Sequence, residues 1–189
     1  MLVTIDANVL IWGVRTTASA GDEHMIPRCV RFLEWLDECG HELALTSQAV
    51  TEYLIGATVE ERIRELAELS SKYIILPYDV SAIEIAATLR SDKDFIKSLG
   101  DDALKSRVCV KANVIIVASA VAGHVQRIYS RDAGVRALAI RAGLSPADIP
   151  TIADMAPLSP PPNTVTPPSK PSPPSKSLFD SEDLKSDAT

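Results

Sequence analysis

The chain has 189 residues, 46% of them hydrophobic and 23% charged, with a formal net charge of −6, which leaves room for one ordinary domain plus an appendage. No uninterrupted apolar run approaches the ~20 residues that span a bilayer, so no membrane association is expected, and the opening MLVTIDANVL reads as a core strand rather than a secretory signal. Three cysteines without paired spacing, Cys29, Cys39 and Cys109, argue against a disulfide framework or a cysteine metal site and for reduced thiols in the cytoplasm.

Leu2 to Ile5 is a short aliphatic and β-branched run suited to a strand buried on both faces. Asp6 ends it, and Asn8 to Trp12 starts a helical turn. A helix begins near Pro27, runs through Val30, Leu33, Leu36 and Cys39, and stops at Gly40. Leu43 to Thr46 is a second strand, followed by a helix capped by Ser47 that continues to Gly56. A charged helix follows, with Ile63, Leu66, Ala67 and Leu69 as its apolar stripe. Tyr73 to Leu76 is a third strand, broken by Pro77. Ser81 to Leu89 is amphipathic and helical, and residues 92–105 are loop-like around a short helical turn at Phe95. Residues 106–122 are a buried core helix, Gln126 to Tyr129 a fourth strand, and Val135 to Ala142 a last helix ended by Gly143. Strands alternating with helices, without hairpin turn signals, predict an α/β domain: a mostly parallel, Rossmann-like sheet flanked by helices over residues 1–150.

Beyond residue 150 the composition changes. Ten of the 13 prolines lie at or after Pro150, among Ser, Thr and Lys. Such a segment buries too little apolar surface to offset its ordering entropy, so residues 151–189 are expected to be a disordered tail. Its acidic and apolar tip, Ser177 to Lys185, reads either as a short docking motif or as a plain polar terminus.

Four positions carry candidate chemistry. In parallel α/β sheets, ligands gather at the carboxyl ends of the strands. Asp6 stands at one such end and Asp132 just beyond another, although either acid alone could serve as a helix cap. Glu52 is set among Val50, Leu54 and Ile55 on its helix. A carboxylate in apolar company needs a partner, and a metal ion or an arginine would serve equally. Asn113 has Cys109, Val110, Ile116 and Val117 at helical spacing, which places its amide inward, toward a cluster of acceptors or a purely structural hydrogen bond.

Together these positions fall in four ordered segments that resemble the PIN domain family. They are Ile5-Asp6-Ala7-Asn8-Val9-Leu10, Ser47-Gln48-Ala49-Val50-Thr51-Glu52-Tyr53, the run from Lys111 to Ala120, and Ile128-Tyr129-Ser130-Arg131-Asp132. The resemblance covers roughly residues 1–145. It implies a PIN-like sheet and a Mg²⁺- or Mn²⁺-dependent endoribonuclease, of which many small members are toxins held by an antitoxin. By position, Asp6, Glu52 and Asp132 match catalytic and metal-site acids, and Asn8 and Ser130 match the small polar residues that orient them. Asn113 stands where the family usually carries a further Asp. It would complete the metal site with a neutral carbonyl oxygen, and Asp101 and Asp102 lie upstream of the same helix.

RNA is the implied substrate, with an antitoxin or other protein, or a second copy in a homodimer, as implied partners. The overall acidity does not exclude RNA, because seven Lys and Arg residues between Lys105 and Arg141 face the single acid Asp132. Of these, Lys111, Arg127 and Arg131 are the candidates for holding its backbone. The competing reading is a PIN-like module that binds RNA or protein without cutting, because of Asn113. A nucleotide-binding Rossmann domain lacks its glycine-rich loop, and no histidine pairs with a nucleophile motif.

Overall fold

The computed structural model describes residues 1–100 and 107–155. Residues 156–189 of the expected disordered tail, with its docking tip, and Asp101 and Asp102 lie outside the described residues.

Five strands form one parallel sheet in the order β3-β2-β1-β4-β5. They are β1 (Leu2–Ile5), β2 (Glu42–Thr46), β3 (Ile74–Leu76), β4 (Arg127–Tyr129) and β5 (Ser145–Ala147). The chain moves outward from β1 through β2 to β3, then returns to the other side of β1 for β4 and β5. That reversal leaves a crevice between the carboxyl ends of β1 and β4, whose register aligns Ile5 with Tyr129.

Two layers of helices cover the sheet. On one face a short helix α1 (Ala7–Leu10) continues as a π turn (Ile11–Arg15), and α2 (Met25–Glu38) packs beside it. Val3, Ile5, Leu10, Phe32, Leu36 and Tyr129 form the core there, with Phe32 meeting the Tyr129 ring edge-on at 4.7 Å. On the other face lie α5 (Val80–Ser91), α7 (Arg107–Ala122) and α8 (Ala133–Arg141), joined through Ala86, Leu89, Val114, Val117 and Leu138. Helix α3 (Ser47–Leu54) packs on both α1 and α7, so it closes one flank of the crevice. Helices α4 (Val59–Lys72) and α6 (Lys93–Gly100) complete the domain.

Several sequence expectations shift. Helix α3 is capped by Thr46, whose hydroxyl accepts from the Ala49 N–H, while Ser47 is already helical. Helix α4 instead carries a full capping box between Thr58 and Glu61. Of its expected apolar stripe only Leu69 is buried, whereas Ile63 and Leu66 face outward. A short helix does form around Phe95. The fifth strand, β5, was not expected. The packed chain also runs past residue 150: Ile149 and Met155 are fully enclosed. Arg28 donates to the carbonyls of Ile149 and Pro150, and Arg31 donates to that of Met155. Among the described residues no helix is long and apolar enough to cross a membrane.

Candidate metal centre

Asp6 follows directly from β1, and its backbone N–H donates to the Tyr129 carbonyl of β4 at 3.1 Å. This bond fixes the acid at the mouth of the crevice, with only 5% of its surface exposed. Its Oδ1 accepts from the Ala7 N–H at 2.8 Å, which caps α1, and its Oδ2 accepts from the Ser130 hydroxyl at 2.9 Å. Ser130 is wholly buried, and its oxygen in turn accepts from the Asp132 N–H at 2.9 Å. One hydroxyl thus ties the two acids into a chain that joins β1 to the β4–α8 turn.

Asp132 caps α8, its Oδ1 accepting from the Gly134 N–H at 2.5 Å and from Val135 at 3.3 Å. The positive end of the helix dipole and these donors hold the carboxylate in place. Glu52 is half-buried on α3 and accepts from Gln48 Nε2 at 2.9 Å, and among the described residues it makes no ion pair. Its charge and that of Asp132 both act on Asp6.

The electrostatics of Asp6 follow. Burial pushes its carboxyl up from 3.8 to about 6, and repulsion from Glu52 and Asp132 adds to the rise. The hydrogen bonds from Ser130 and Ala7 work the other way without cancelling it.

The other expected site residues are distributed unevenly. Asn8 is exposed and lines a cavity of about 580 Å³ next to Asp132, together with Arg131. Lys111 is exposed on α7. Asn113 is half-buried on α7, the helix that packs on α3, and among the described residues no hydrogen bond links it to the acids. Arg127 is not brought to the crevice. It begins β4 at the level of Val3, on the opposite end of the sheet from Asp6, where its charge acts on His41.

Arg136 was missed as a site residue. From the first turn of α8 its Nη1 donates to the Ser130 carbonyl at 2.8 Å, fixing the peptide that carries the bridging hydroxyl. The available signal was its place four residues after the capping acid Asp132.

Whether a divalent ion suits these residues can be judged from their donors. All are oxygens, the preference of a hard cation, and the repulsion on Asp6 is what a cation relieves. Among the described residues no three His, Cys, Asp or Glu side chains form a ready-made cage. Mg²⁺, however, is usually held by one or two carboxylates, retained waters and substrate phosphates, and Asp6 and Asp132 fit that share.

No family model and no curated protein matches this chain. Among solved structures it is similar to one described as the crystal structure of VapBC2 from Rickettsia felis bound to a DNA fragment from their promoter. The TM-score is 0.51 at 12% identity, over 78% of this chain and 98% of that one. At that identity the likeness speaks to architecture: the domain has a PIN-like fold, a parallel α/β sheet with its acids at the β1/β4 crevice.

Proposed function

We propose that this protein is a Mg²⁺- or Mn²⁺-dependent endoribonuclease of the toxin type. The observation that carries the reading is the Asp6–Ser130–Asp132 chain at the β1/β4 crevice, with a buried carboxylate raised to about 6 beside two further acids. Asp6 and Asp132 would hold the ion, with Glu52 as a further ligand or as the group that orients water. When bound, such an ion polarises the phosphate and makes an attacking water more acidic. Ser130 keeps Asp6 Oδ2 aimed, and Arg136 keeps Ser130 in place. Arg131, which lines the cavity next to Asp132, and Lys111, exposed on α7, would hold backbone phosphates. The similar solved structure is of a VapBC toxin–antitoxin complex, so a protein antitoxin belongs to the same proposal.

The test is Mn²⁺-dependent cleavage of a mixed RNA pool by the wild type, Asp6→Asn and Asp132→Asn. Loss of at least 100-fold in each variant is expected, since each removes a charge the ion requires. Undiminished cleavage in both would place the chemistry elsewhere. A second reading, an RNA- or protein-binding module, is favoured by Asn113 and by the lack of a three-ligand cage among the described residues. It predicts RNA retention by the wild type with no cleavage at any Mn²⁺ concentration.

A further inference from the structure

A cavity borders the acid chain at Asp132 and extends away from Asp6 and Ser130. It opens between the π turn, the loop after it and the β4–α8 turn, and its walls include Asn8, Trp12, Ser19, Asp22, Arg131 and Asp132. Its volume of about 580 Å³ falls within the roughly 300–1,000 Å³ typical of small-molecule sites.

The backbone that shapes it is unusual in two ways. The helix after Asp6 widens into a π turn at Ile11–Arg15, a form concentrated at functional sites. The next residue, Thr16, is held at φ 55°, a left-handed conformation that a β-branched residue rarely adopts. The pair of distortions turns the chain so that residues 17–22 wall off a pocket instead of extending α1.

The lining supplies the parts of a base site. Trp12 is 7% exposed and offers an aromatic wall. The Asn8 amide reaches the cavity with no hydrogen-bond partner among the described residues. The Asp22 carboxylate faces Arg131 across 3.9 Å, a loose pair with both groups near 40–45% exposed. A carboxylate accepts from an exocyclic amine, whereas a uracil edge at the same place would set a carbonyl oxygen against it.

We infer that this cavity is a subsite for one unpaired nucleotide of single-stranded RNA, with Arg131 holding its phosphate and Asp22 favouring amino-bearing bases. The inference rests on the ribonuclease reading for its substrate class and names the side of the acids on which the flanking nucleotide sits. A base inside a duplex stack cannot enter such a concavity, so single-stranded RNA is the form it selects.

Binding can be read without cleavage. The chain has two tryptophans, Trp12 and Trp35, and Trp35 lies away from the cavity against Phe32 and His41. A Trp35→Phe, Asp6→Asn protein in metal-free buffer isolates Trp12 fluorescence, prevents turnover and leaves the lining of the cavity intact. Titration with five-nucleotide oligo(A), oligo(C), oligo(U) and an RNA duplex should quench Trp12 with oligo(A) and oligo(C), at least fivefold more weakly with oligo(U), and not with the duplex. Asp22→Asn should abolish the discrimination against oligo(U). Arg131→Gln should weaken all single strands together and lower the salt slope by about one. The inference is overturned if no single strand quenches Trp12, if the duplex does so equally, or if Asp22→Asn leaves the preference intact. Because no cleavage is measured, a dead nuclease with a working subsite and an active nuclease without one give different results.

Discussion

Asp6 makes a sharp prediction about stability and pH. Its carboxyl stands at about 6 in the native protein against 3.8 ordinarily, chiefly because it is buried. The native state therefore binds this proton more tightly than the unfolded chain does. Stability from this group is complete below about pH 4 and is lost as the pH rises through 6. At about 1.4 kcal/mol per pH unit, the loss reaches about 3 kcal/mol by pH 7.5. Asp6→Asn removes the charge and most of this loss. The asparagine oxygen still accepts from the Ala7 N–H, but the Ser130 hydroxyl proton loses its acceptor, at about 1 kcal/mol. The metal-free variant should thus be about 1 kcal/mol less stable than wild type at pH 4 and about 2 kcal/mol more stable at pH 7.5. Thermal melts across that range would show the crossing as a change of several degrees in relative Tm. Saturating Mn²⁺ should restore the wild-type advantage at pH 7.5, because the ion binds only the ionised acid. A constant difference between the two proteins from pH 4 to 7.5 would refute the claim that a buried, repelled carboxylate stands at this position.

Four further perturbations test the surroundings. Asn113→Asp should lower metal-free stability by added repulsion while increasing the Tm gain from Mn²⁺, with cleavage rising in parallel; no change in any of these would remove Asn113 from the site. Ser130→Ala deletes the bond to Asp6 and the acceptor for the Asp132 N–H, and should cost about 1–3 kcal/mol in denaturant unfolding and push the Asp6 titration higher still. Arg136→Gln should leave the fold nearly as stable but reduce kcat with little change in KM, since it touches only the peptide behind Ser130. Gly13→Ala places a methyl 2.7 Å from Leu33 Cδ1 and 3.3 Å from the Cys29 carbonyl oxygen. The Leu33 tip can rotate aside, so the Cys29 carbonyl is the tighter constraint, and the loss in chemical unfolding should be no more than about 1 kcal/mol.

Much of this architecture was legible because it is written in local patterns. The aliphatic runs at Leu2–Ile5 and Leu43–Thr46, each ended by a polar residue, could be little other than buried parallel strands. Asp6 and Asp132 were legible as acids at strand ends, where parallel sheets collect ligands. Strand β5 was not, because Ser145-Pro146-Ala147 has no apolar run. It exists as an edge strand, where a proline without an N–H is tolerated, paired only to β4. The π turn was equally hidden. Asn8 to Trp12 has ordinary helical texture, and the close approach of Gly13 to α2 is a tertiary contact that local pattern does not reveal. Arg127 was grouped with the site by its neighbours in sequence, but the three residues of β4 carry it to the far end of the sheet. Ile63 and Leu66 had the right spacing for a core stripe, yet spacing does not tell whether a second layer exists to cover it.

The site's economy lies in one turn. Ser130, Arg131 and Asp132 are consecutive, and each serves a different element of the crevice. Ser130 reaches back to β1 through Asp6, Arg131 reaches over the cavity toward Asp22, and Asp132 caps α8 and borders both. Their relative placement is set by main-chain bonds: Asp6 N–H to Tyr129, Ser130 N–H to Ala147 of β5, and Arg136 to the Ser130 carbonyl. The short edge strand therefore contributes to the site although no residue of it carries chemistry. By holding the Ser130 N–H it fixes the level at which β4 gives way to the turn, and so the distance between the acid on β1 and the acid on α8. A cluster of like charges survives metal-free only when its backbone cannot relax away from the repulsion. Here β4 bonds the Asp6 peptide, the first turn of α8 bonds the Asp132 peptide, and β5 bonds Ser130, which links the two acids. Separating the acids would break several of those bonds at once, so the domain retains the repulsion on Asp6 as a destabilisation that a cation can remove.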